Sequence, residues 1–284
     1  MFKYYLEIIK PRIIIGNIIL LIGGFFCFLG DFFNFFLFLY TILGTSLVIA
    51  SSCIFNNLID REIDARMCRT RNRVLVKKLI KPIYVYILGF FLGIVGIFIL
   101  GILVNFLSML LSIIGFIIYV CLYTIFLKRK SIYSTFFGSF SGSLPSLIGY
   151  TAIHNTIDIV CFLLFIILVF WQMSHFYAIS LMYLEDYKNA NLPLFPILKG
   201  VKKTKKHIFY YIILYIFFSF FLMLFINFNY IFIFFISIFN FYWLYLSYLN
   251  IKSNNYYKFS KKIFYFSILI IVLFNIFICI NSKF

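Results

Sequence analysis

The sequence predicts an all-α integral membrane protein, a polytopic bundle of about nine transmembrane helices. Hydrophobic residues make up 64% of the 284 residues and charged residues only 12%, whereas soluble domains carry about 25% charged residues. Apolar runs of roughly 20 residues, long enough to cross a bilayer, recur along the whole chain. The Lys and Arg residues fall in the short segments between those runs.

Nine predicted spans follow one another without an obvious internal repeat, which favours a single domain over residues 1–284. The spans cover residues 13–30, 32–59, 83–104, 106–127, 132–152, 157–185, 208–227, 229–249 and 262–281. The second and sixth are long. A helix over 32–59 would reach about 42 Å, beyond a hydrocarbon core of about 30 Å, so we expect both to tilt or to project into the aqueous rim.

The basic residues predict the orientation in the membrane. All but Lys283 of the 25 Lys and Arg residues lie before the first span or after spans two, four, six and eight. Because cytoplasmic loops are enriched in Lys and Arg, this face is predicted to be cytoplasmic in a bacterial inner membrane, with the N-terminus inside and the C-terminus outside. The opposite turns are minimal: Gly30–Asp31, Asn105, His154–Thr156 and Asn227–Asn229.

The formal charge of +17 is therefore explained by the membrane. The lipid bilayer is the predicted partner, and no nucleic-acid partner is indicated.

Five of the eight acidic residues cluster at the cytoplasmic ends of the two long spans, at a predicted wet rim: Asp60, Glu62, Asp64, Glu185 and Asp186. Ionisable groups near a membrane are costly unless they are paired or functional. In the first cluster an amide and two carboxylates at i, i+4 and i+8 share one helix face, a set of oxygen ligands that suits Mg²⁺ and substrate phosphates. Simple neutralisation of the neighbouring arginines explains this cluster equally well.

The second cluster, around Asp186, sits at the same predicted depth at the end of the other long span. Two facing acidic clusters favour a pair of Mg²⁺ ions that clamp a diphosphate.

Four segments carry a family resemblance. Residues 56–73 read NNLIDREIDARMCRTRNR, with an NxxxDxxxD motif followed by RTxxR; the others are YTIFLKRKSIYSTFFGSFSGSLPSLIGY (123–150), WQMSHFYA (171–178) and EDYKNANLPLFPILKG (185–200). From about residue 5 to residue 210 the chain resembles the protoheme IX farnesyltransferase family, the heme branch of the UbiA-type intramembrane prenyltransferases. NxxxDxxxD marks the superfamily, whereas WQMxHF and DYxxAxxP point to the heme branch. Ser174 stands where the family commonly has proline.

The resemblance implies farnesyl transfer from farnesyl diphosphate to heme B, with heme B as a substrate and Mg²⁺ as the cofactor. It implies Asn56, Asp60, Asp64 and Asp186 as metal ligands, with the three carboxylates and Lys128 as catalytic groups. Transfer of the product, heme O, to a heme A synthase or a terminal oxidase is expected from the family alone.

The resemblance also implies substrate contacts. It assigns the contacts with the diphosphate to five residues: Arg66, Arg73, Tyr123, Lys128 and Arg129. Tyr123 is equally well explained as an interfacial belt tyrosine. His175 is implied to contact heme; it lies about 15 Å before the acidic end of its helix, and a buried core histidine is the competing interpretation.

Two other functions remain open at this stage. A prenyltransferase acting on 4-hydroxybenzoate or another quinone precursor would share the acidic motif but differ in the acceptor segments. A transporter would be expected to place paired charges at the membrane midplane or to show inverted repeats, and the gathering of the acids at one rim argues against it.

Overall fold

The structure is a computed structural model that describes residues 2–27, 33–226 and 228–281. Within these ranges all regular secondary structure is helical, which confirms the predicted all-α fold. The helices are α1 (Phe2–Ile9), α2 (Pro11–Phe26), α3 (Phe35–Ile59), α4 (Arg61–Arg66), α5 (Pro82–Leu103), α6 (Phe106–Phe116) continued by a π-helical segment (Ile117–Leu127), α7 (Ser134–His154), α8 (Ile159–Met182), α9 (Leu184–Asn189), α10 (Phe195–Leu198), α11 (Val201–Phe225), α12 (Tyr230–Lys252) and α13 (Tyr256–Asn281).

Seven helices in the described part of the chain are long and apolar enough to cross a membrane: α3, α5, α6 with its π segment, α8, α11, α12 and α13. The pair α1–α2 is bent by 47° and counts as an eighth if its two helices form one span. The remaining predicted span corresponds to α7, a helix rich in Ser and Gly with most of its residues buried by its neighbours. The number of nine spans stays a prediction.

Some predicted features lie outside the described residues. These are the outer turn at Gly30 and Asp31, the turn residue Asn227, and the basic residue Lys283 near the end of the chain.

The two long predicted spans each end at a break that is followed by a short helix. α3 ends at Ile59, and Asp60 leads into α4 with backbone angles of φ −84° and ψ 1°. α8 ends at Met182, and α9 begins after Tyr183. The acidic clusters therefore lie at breaks and on short helices, and not on single helices that project into water.

Small residues let the central helices approach closely. A Cβ added to Gly24 of α2 would lie 1.9 Å from the Ser146 carbonyl oxygen of α7, and one added to Gly149 would lie 2.1 Å from the Leu21 carbonyl oxygen. Membrane helices use such residues because van der Waals packing, not the hydrophobic effect, drives their association. The α2–α7 contact forms one wall of a central cavity.

Hydrogen bonds join the loops into the two sets that the charge alternation predicts. At the basic end they connect the N-terminal segment and the loops after spans two, four, six and eight, through Lys10–Asn56, Arg129–Ile59, Cys68–Asp186 and Lys205–Ser253. At the opposite end they are Asn105–Thr151, His154–Cys27 and Asn229–Asn281. The basic loops are thus gathered at one end of the bundle.

Candidate active site

A cavity of about 660 Å³ runs from the basic end of the bundle into its interior. Its mouth is lined by charged and polar side chains, among them Lys10, Arg69, Arg73 and Lys128. Its inner part is lined mostly by apolar groups from α2, α3, α7, α8 and α13. The volume falls in the range of about 300–1,000 Å³ that is usual for small-molecule sites.

Asp60 occupies the break between α3 and α4 beside the mouth. Its carboxylate is only 1% exposed, so the expectation of a wet rim is wrong for this group. Oδ2 accepts hydrogen bonds from Asn56 Nδ2 at 2.7 Å and from Lys128 Nζ. Oδ1 is buried without a hydrogen-bond partner among the described residues. An uncompensated buried carboxylate oxygen is costly, and it is available to ligate a cation.

Asp64 lies one turn further, on α4, and is 2% exposed, so the wet-rim expectation is wrong here as well. Its Oδ2 accepts a hydrogen bond of 2.5 Å from Arg73 NH1. Asn56 in turn accepts a hydrogen bond of 2.8 Å from Lys10 Nζ. Asp64 is buried because the loop of residues 67–80 folds back and Arg73 covers its carboxylate.

The π-helical segment presents the groups of the fourth predicted span to this cluster. Thr124 Oγ1 accepts a hydrogen bond of 3.2 Å from Asn56, and the Tyr119 and Tyr123 rings stack at 5.7 Å. Both tyrosines line the cavity, which agrees with the implied position of Tyr123. A π helix has a wider turn than an α helix and often marks a functional site.

Lys128 follows directly after that segment, and its ammonium lies 5.8 Å from the centre of the Tyr123 ring. Burial lowers the pKa of an ammonium, but Tyr123 and the Asp60 and Asp64 carboxylates act in the opposite direction, and the pKa of Lys128 is raised above its usual value. Lys128 is therefore a fixed positive charge at the cavity mouth.

Asp186 is held against the loop that follows α4. Its Oδ1 accepts a hydrogen bond of 3.0 Å from the Cys68 amide, and its Oδ2 accepts one of 3.4 Å from the Arg69 amide. The Arg69 guanidinium lies 4.5 Å above the Tyr183 ring. Asp186 thus ties the loop after α4 to α9 across the mouth.

Two other predicted diphosphate residues lie at the periphery. Arg66 ends α4 and is exposed to solvent. The Arg129 NH2 group donates a hydrogen bond of 2.8 Å to the Ile59 carbonyl oxygen at the end of α3, where it satisfies a helix carbonyl that has no partner within the helix.

His175 lies on the inner part of α8 and lines the cavity, as predicted from its depth. Its Nδ1 is 2.7 Å from Ser267 Oγ of α13, and its ring is stacked on Trp171 at 5.1 Å. Gln172, one turn earlier, also lines the cavity.

Sequence reasoning missed Lys10 and Gln172 as site residues. Lys10 had a usable signal, since it stands directly before Pro11, close to the start of the first predicted span. Gln172 is the only amide in an otherwise apolar and aromatic stretch of α8, within the motif that carried the family resemblance.

The described residues fit a Mg²⁺ site only in part. No three His, Cys, Asp or Glu side chains in the described ranges lie close enough to hold a metal ion together. The unpartnered Asp60 oxygen, with Asn56 and Asp64 beside it, offers hard oxygen ligands of the kind that Mg²⁺ takes from one or two carboxylates, with water and phosphate oxygens completing the shell.

Comparison with known proteins identifies the class of this fold and site. A profile described as the UbiA prenyltransferase family matches residues 17–270. The chain belongs to this family. It is also 42% identical over 271 residues to protein sequences named protoheme IX farnesyltransferase from Yersinia pseudotuberculosis, covering 95% of this chain and 92% of that protein. A protoheme IX farnesyltransferase from Blochmanniella floridana is also 42% identical, and the alignment covers 99% of this chain and 98% of that protein.

Solved structures confirm the fold. A digeranylgeranylglyceryl phosphate synthase superposes with a TM-score of 0.81 at 19% identity, covering 99% of this chain and 98% of its own. A UbiA homologue from Archaeoglobus fulgidus, bound to GPP and Mg²⁺, superposes with a TM-score of 0.70 at 15% identity. The superposition covers 97% of this chain and 99% of the homologue.

Proposed function

We propose that this chain, as one intramembrane domain over residues 1–284, transfers the farnesyl group of farnesyl diphosphate to a vinyl group of heme B. Water adds in the same reaction, and the products are heme O and diphosphate. The relatives named protoheme IX farnesyltransferase, which match nearly the whole chain, support this proposal.

The observation that carries the proposal is the central cavity. It joins a cluster of charges at its mouth, suited to a diphosphate, to an apolar interior that contains His175, suited to a prenyl chain and a large flat acceptor. Both substrates can then meet in one space.

At the mouth, Asn56, Asp60 and Asp64 would hold one Mg²⁺ and Asp186 a second, and these ions, when bound, would neutralise the charge that develops on the leaving diphosphate. Lys128 and Arg73 are placed to donate to phosphate oxygens as the C–O bond breaks. Tyr123 contributes its hydroxyl from the π segment. Arg66 and Arg129 extend the positive field at the periphery.

Further inside, departure of diphosphate leaves an allylic cation that water would quench, so the cavity must stay dry around it. The rings of Trp171, Phe176 and Phe264 line that part of the cavity. An aromatic face near a cation contributes about 0.5–2 kcal/mol. His175, which lines the cavity, would contact the heme.

We further propose that the protein lies in the bacterial inner membrane with the cavity mouth facing the cytoplasm. The asymmetry of the basic loops supports this orientation. Heme O would pass to a heme A synthase or directly to a terminal oxidase.

Incubation of membranes that contain the protein with heme B, farnesyl diphosphate and Mg²⁺, followed by mass analysis of the extracted hemes, tests the proposal. Heme O is expected, and its formation should stop when Mg²⁺ is chelated. Prenylation of 4-hydroxybenzoate with no change in heme would overturn the heme assignment and favour a quinone-type acceptor.

A further inference from the structure

The inner end of the cavity contains two polar groups to which the proposed chemistry gives no task. One is the side-chain amide of Gln172, and the other is the second ring nitrogen of His175. The two residues are three positions apart on α8, so their side chains lie on the same helix face. Both line the cavity.

The hydrogen bonds around Ser267 fix the tautomer of His175. Ser267 Oγ donates its single proton to the Phe264 carbonyl oxygen at 2.6 Å. The same oxygen is 2.7 Å from His175 Nδ1, and with the hydroxyl proton on the Phe264 carbonyl this contact assigns the donor role to Nδ1–H. In the neutral imidazole the other nitrogen, Nε2, then has a free lone pair.

Two further contacts hold this arrangement. The Trp171 indole donates to the Ser267 carbonyl oxygen at 2.8 Å and stacks on the imidazole. His175 is thereby oriented by α13, with a basic nitrogen that is not used by Ser267.

Gln172 supplies an unsatisfied acceptor beside it. The side chain is 3% exposed, and its Oε1 has no hydrogen-bond partner among the described residues. A Cβ added to Gly142 of α7 would lie 2.3 Å from this oxygen. Glycine at that position therefore makes the room in which the amide lies.

We propose that Gln172 and His175 form the hydration site of the reaction, an inference that rests on the proposed function. The Gln172 amide, turned so that Oε1 faces the cavity, accepts a hydrogen bond from one water molecule, and His175 Nε2 accepts the proton that this water loses. His175 is then a general base, and Gln172 fixes the reacting water.

The steps balance as follows in atoms and electrons. The bond from farnesyl C1 to the diphosphate oxygen breaks, and its electron pair leaves with diphosphate. The vinyl π pair forms the new carbon–carbon bond and leaves a cation on the carbon attached to the porphyrin ring. The water oxygen bonds to that carbon, and its proton passes to His175 Nε2.

Without a held water, the same cation has another outcome. It loses a proton from the neighbouring carbon and gives an alkene, which is one water molecule lighter than heme O. The ratio of hydrated product to alkene therefore reports on the hydration site and not on substrate binding or on the amount of folded enzyme.

The test compares purified variants in the presence of heme B, farnesyl diphosphate and Mg²⁺ and measures this ratio by mass spectrometry. Gln172→Leu preserves the approximate volume but has no acceptor. Gly142→Ala displaces the amide without removing it. Ser174→Ala is the matched control on α8, because the Ser174 hydroxyl donates only to the Trp171 carbonyl oxygen.

Gln172→Leu and His175→Asn are expected to shift the product towards alkene, His175→Asn by about 10²-fold, the lower range for loss of a general base. Gly142→Ala should shift it in the same direction, and Ser174→Ala should leave it unchanged. Slower turnover of both site variants with an unaltered ratio would overturn the hydration site while leaving farnesyl transfer intact. Absence of any prenylated heme from the unmodified enzyme would instead overturn the proposed function itself.

Discussion

At the scale of single residues, each oxygen ligand of the first predicted cluster is hydrogen-bonded to a basic side chain from a different segment. Lys10 bonds Asn56, Lys128 bonds Asp60, and Arg73 bonds Asp64. These cations pair with the buried carboxylates and offset the cost of burying a charge, and they lie where a diphosphate would need donors. The alternative from the sequence, neutralisation by neighbouring arginines, applies only to Asp64, whose partner is nine positions away.

Asp60→Asn and Asp64→Asn are expected to lower heme O formation by at least about 10²–10³-fold, the usual cost of losing one electrostatic stabiliser of the transition state. Insertion into the membrane should persist, because asparagine keeps the size of each side chain and leaves the apolar spans unchanged. Turnover by each variant is measured over a Mg²⁺ titration.

Glu185→Gln is the control for these variants, since Glu185 is exposed and, among the described residues, bonds only Lys188 on its own short helix. Near-normal turnover of Asp60→Asn or Asp64→Asn would remove the Mg²⁺–diphosphate assignment.

His175→Ala is expected to weaken the use of heme B and to preserve Mg²⁺-dependent binding of farnesyl diphosphate. The reason is depth in the bundle: His175 lies seven residues, or about 10 Å, before the end of α8 at Met182, and Asp186 lies beyond the break on α9. Titration with a non-hydrolysable farnesyl diphosphate analogue measures binding of the prenyl donor. The absorption band of bound heme B measures binding of the acceptor. Normal binding and prenylation of heme by the variant would show that His175 is a structural core residue.

Several of these residues were accessible from the sequence and others were not. Asn56 and Asp60 are one helical turn apart at the end of α3 and form the hydrogen bond that their spacing allows. Lys10 and Arg69 come from loops, and their approach to the cavity depends on where those loops fold. The burial of Asp60 and Asp64 has the same origin, because it comes from Lys128 and Arg73, which are distant in the chain or across a loop.

At the scale of secondary-structure elements, the apolar pattern located the helices well but not their breaks. The predicted span 32–59 corresponds to α3, whereas 157–185 divides into α8 and α9. The break at Tyr183 coincides with its contact to Arg69, and such a tertiary contact has no signal in hydropathy. The π-helical turns before Lys128 are equally invisible, since their composition is that of an ordinary apolar helix.

Asp186→Ala is expected to abolish binding of the farnesyl diphosphate analogue while heme B still binds. Asp186 ties the loop after α4 to α9 through two backbone amides, so its loss should open the mouth and also remove a proposed metal ligand. Analogue and heme titrations are compared with those of Glu185→Ala, which removes the adjacent exposed carboxylate and leaves this contact in place. Retention of analogue affinity by Asp186→Ala would contradict both roles.

At the scale of the whole molecule, the bundle separates charge from apolar volume. The loops at one end carry the basic residues, and hydrogen bonds connect them into one layer above the cavity. A charged diphosphate can therefore remain at the polar end while its prenyl chain enters the apolar interior. The family resemblance gave this arrangement in outline, but the course of the cavity follows from helix packing such as the α2–α7 contact.

The orientation of this layered arrangement gives the last prediction. Reporter fusions after Lys130 and after Lys203 are expected to be cytoplasmic, and fusions at Asn105 and Asn155 are expected to be external. The cause is the positive-inside rule, under which loops rich in Lys and Arg are retained on the cytoplasmic side. The bonds from Asn105 to the Thr151 and Ala152 carbonyl oxygens place two of the outer turns together, so their fusions must agree with each other. A paired assay with a reporter active only in the cytoplasm and one active only outside it distinguishes the two faces. A cytoplasmic signal at Asn155 would show that α7 does not cross the membrane and would reduce the number of spans below nine.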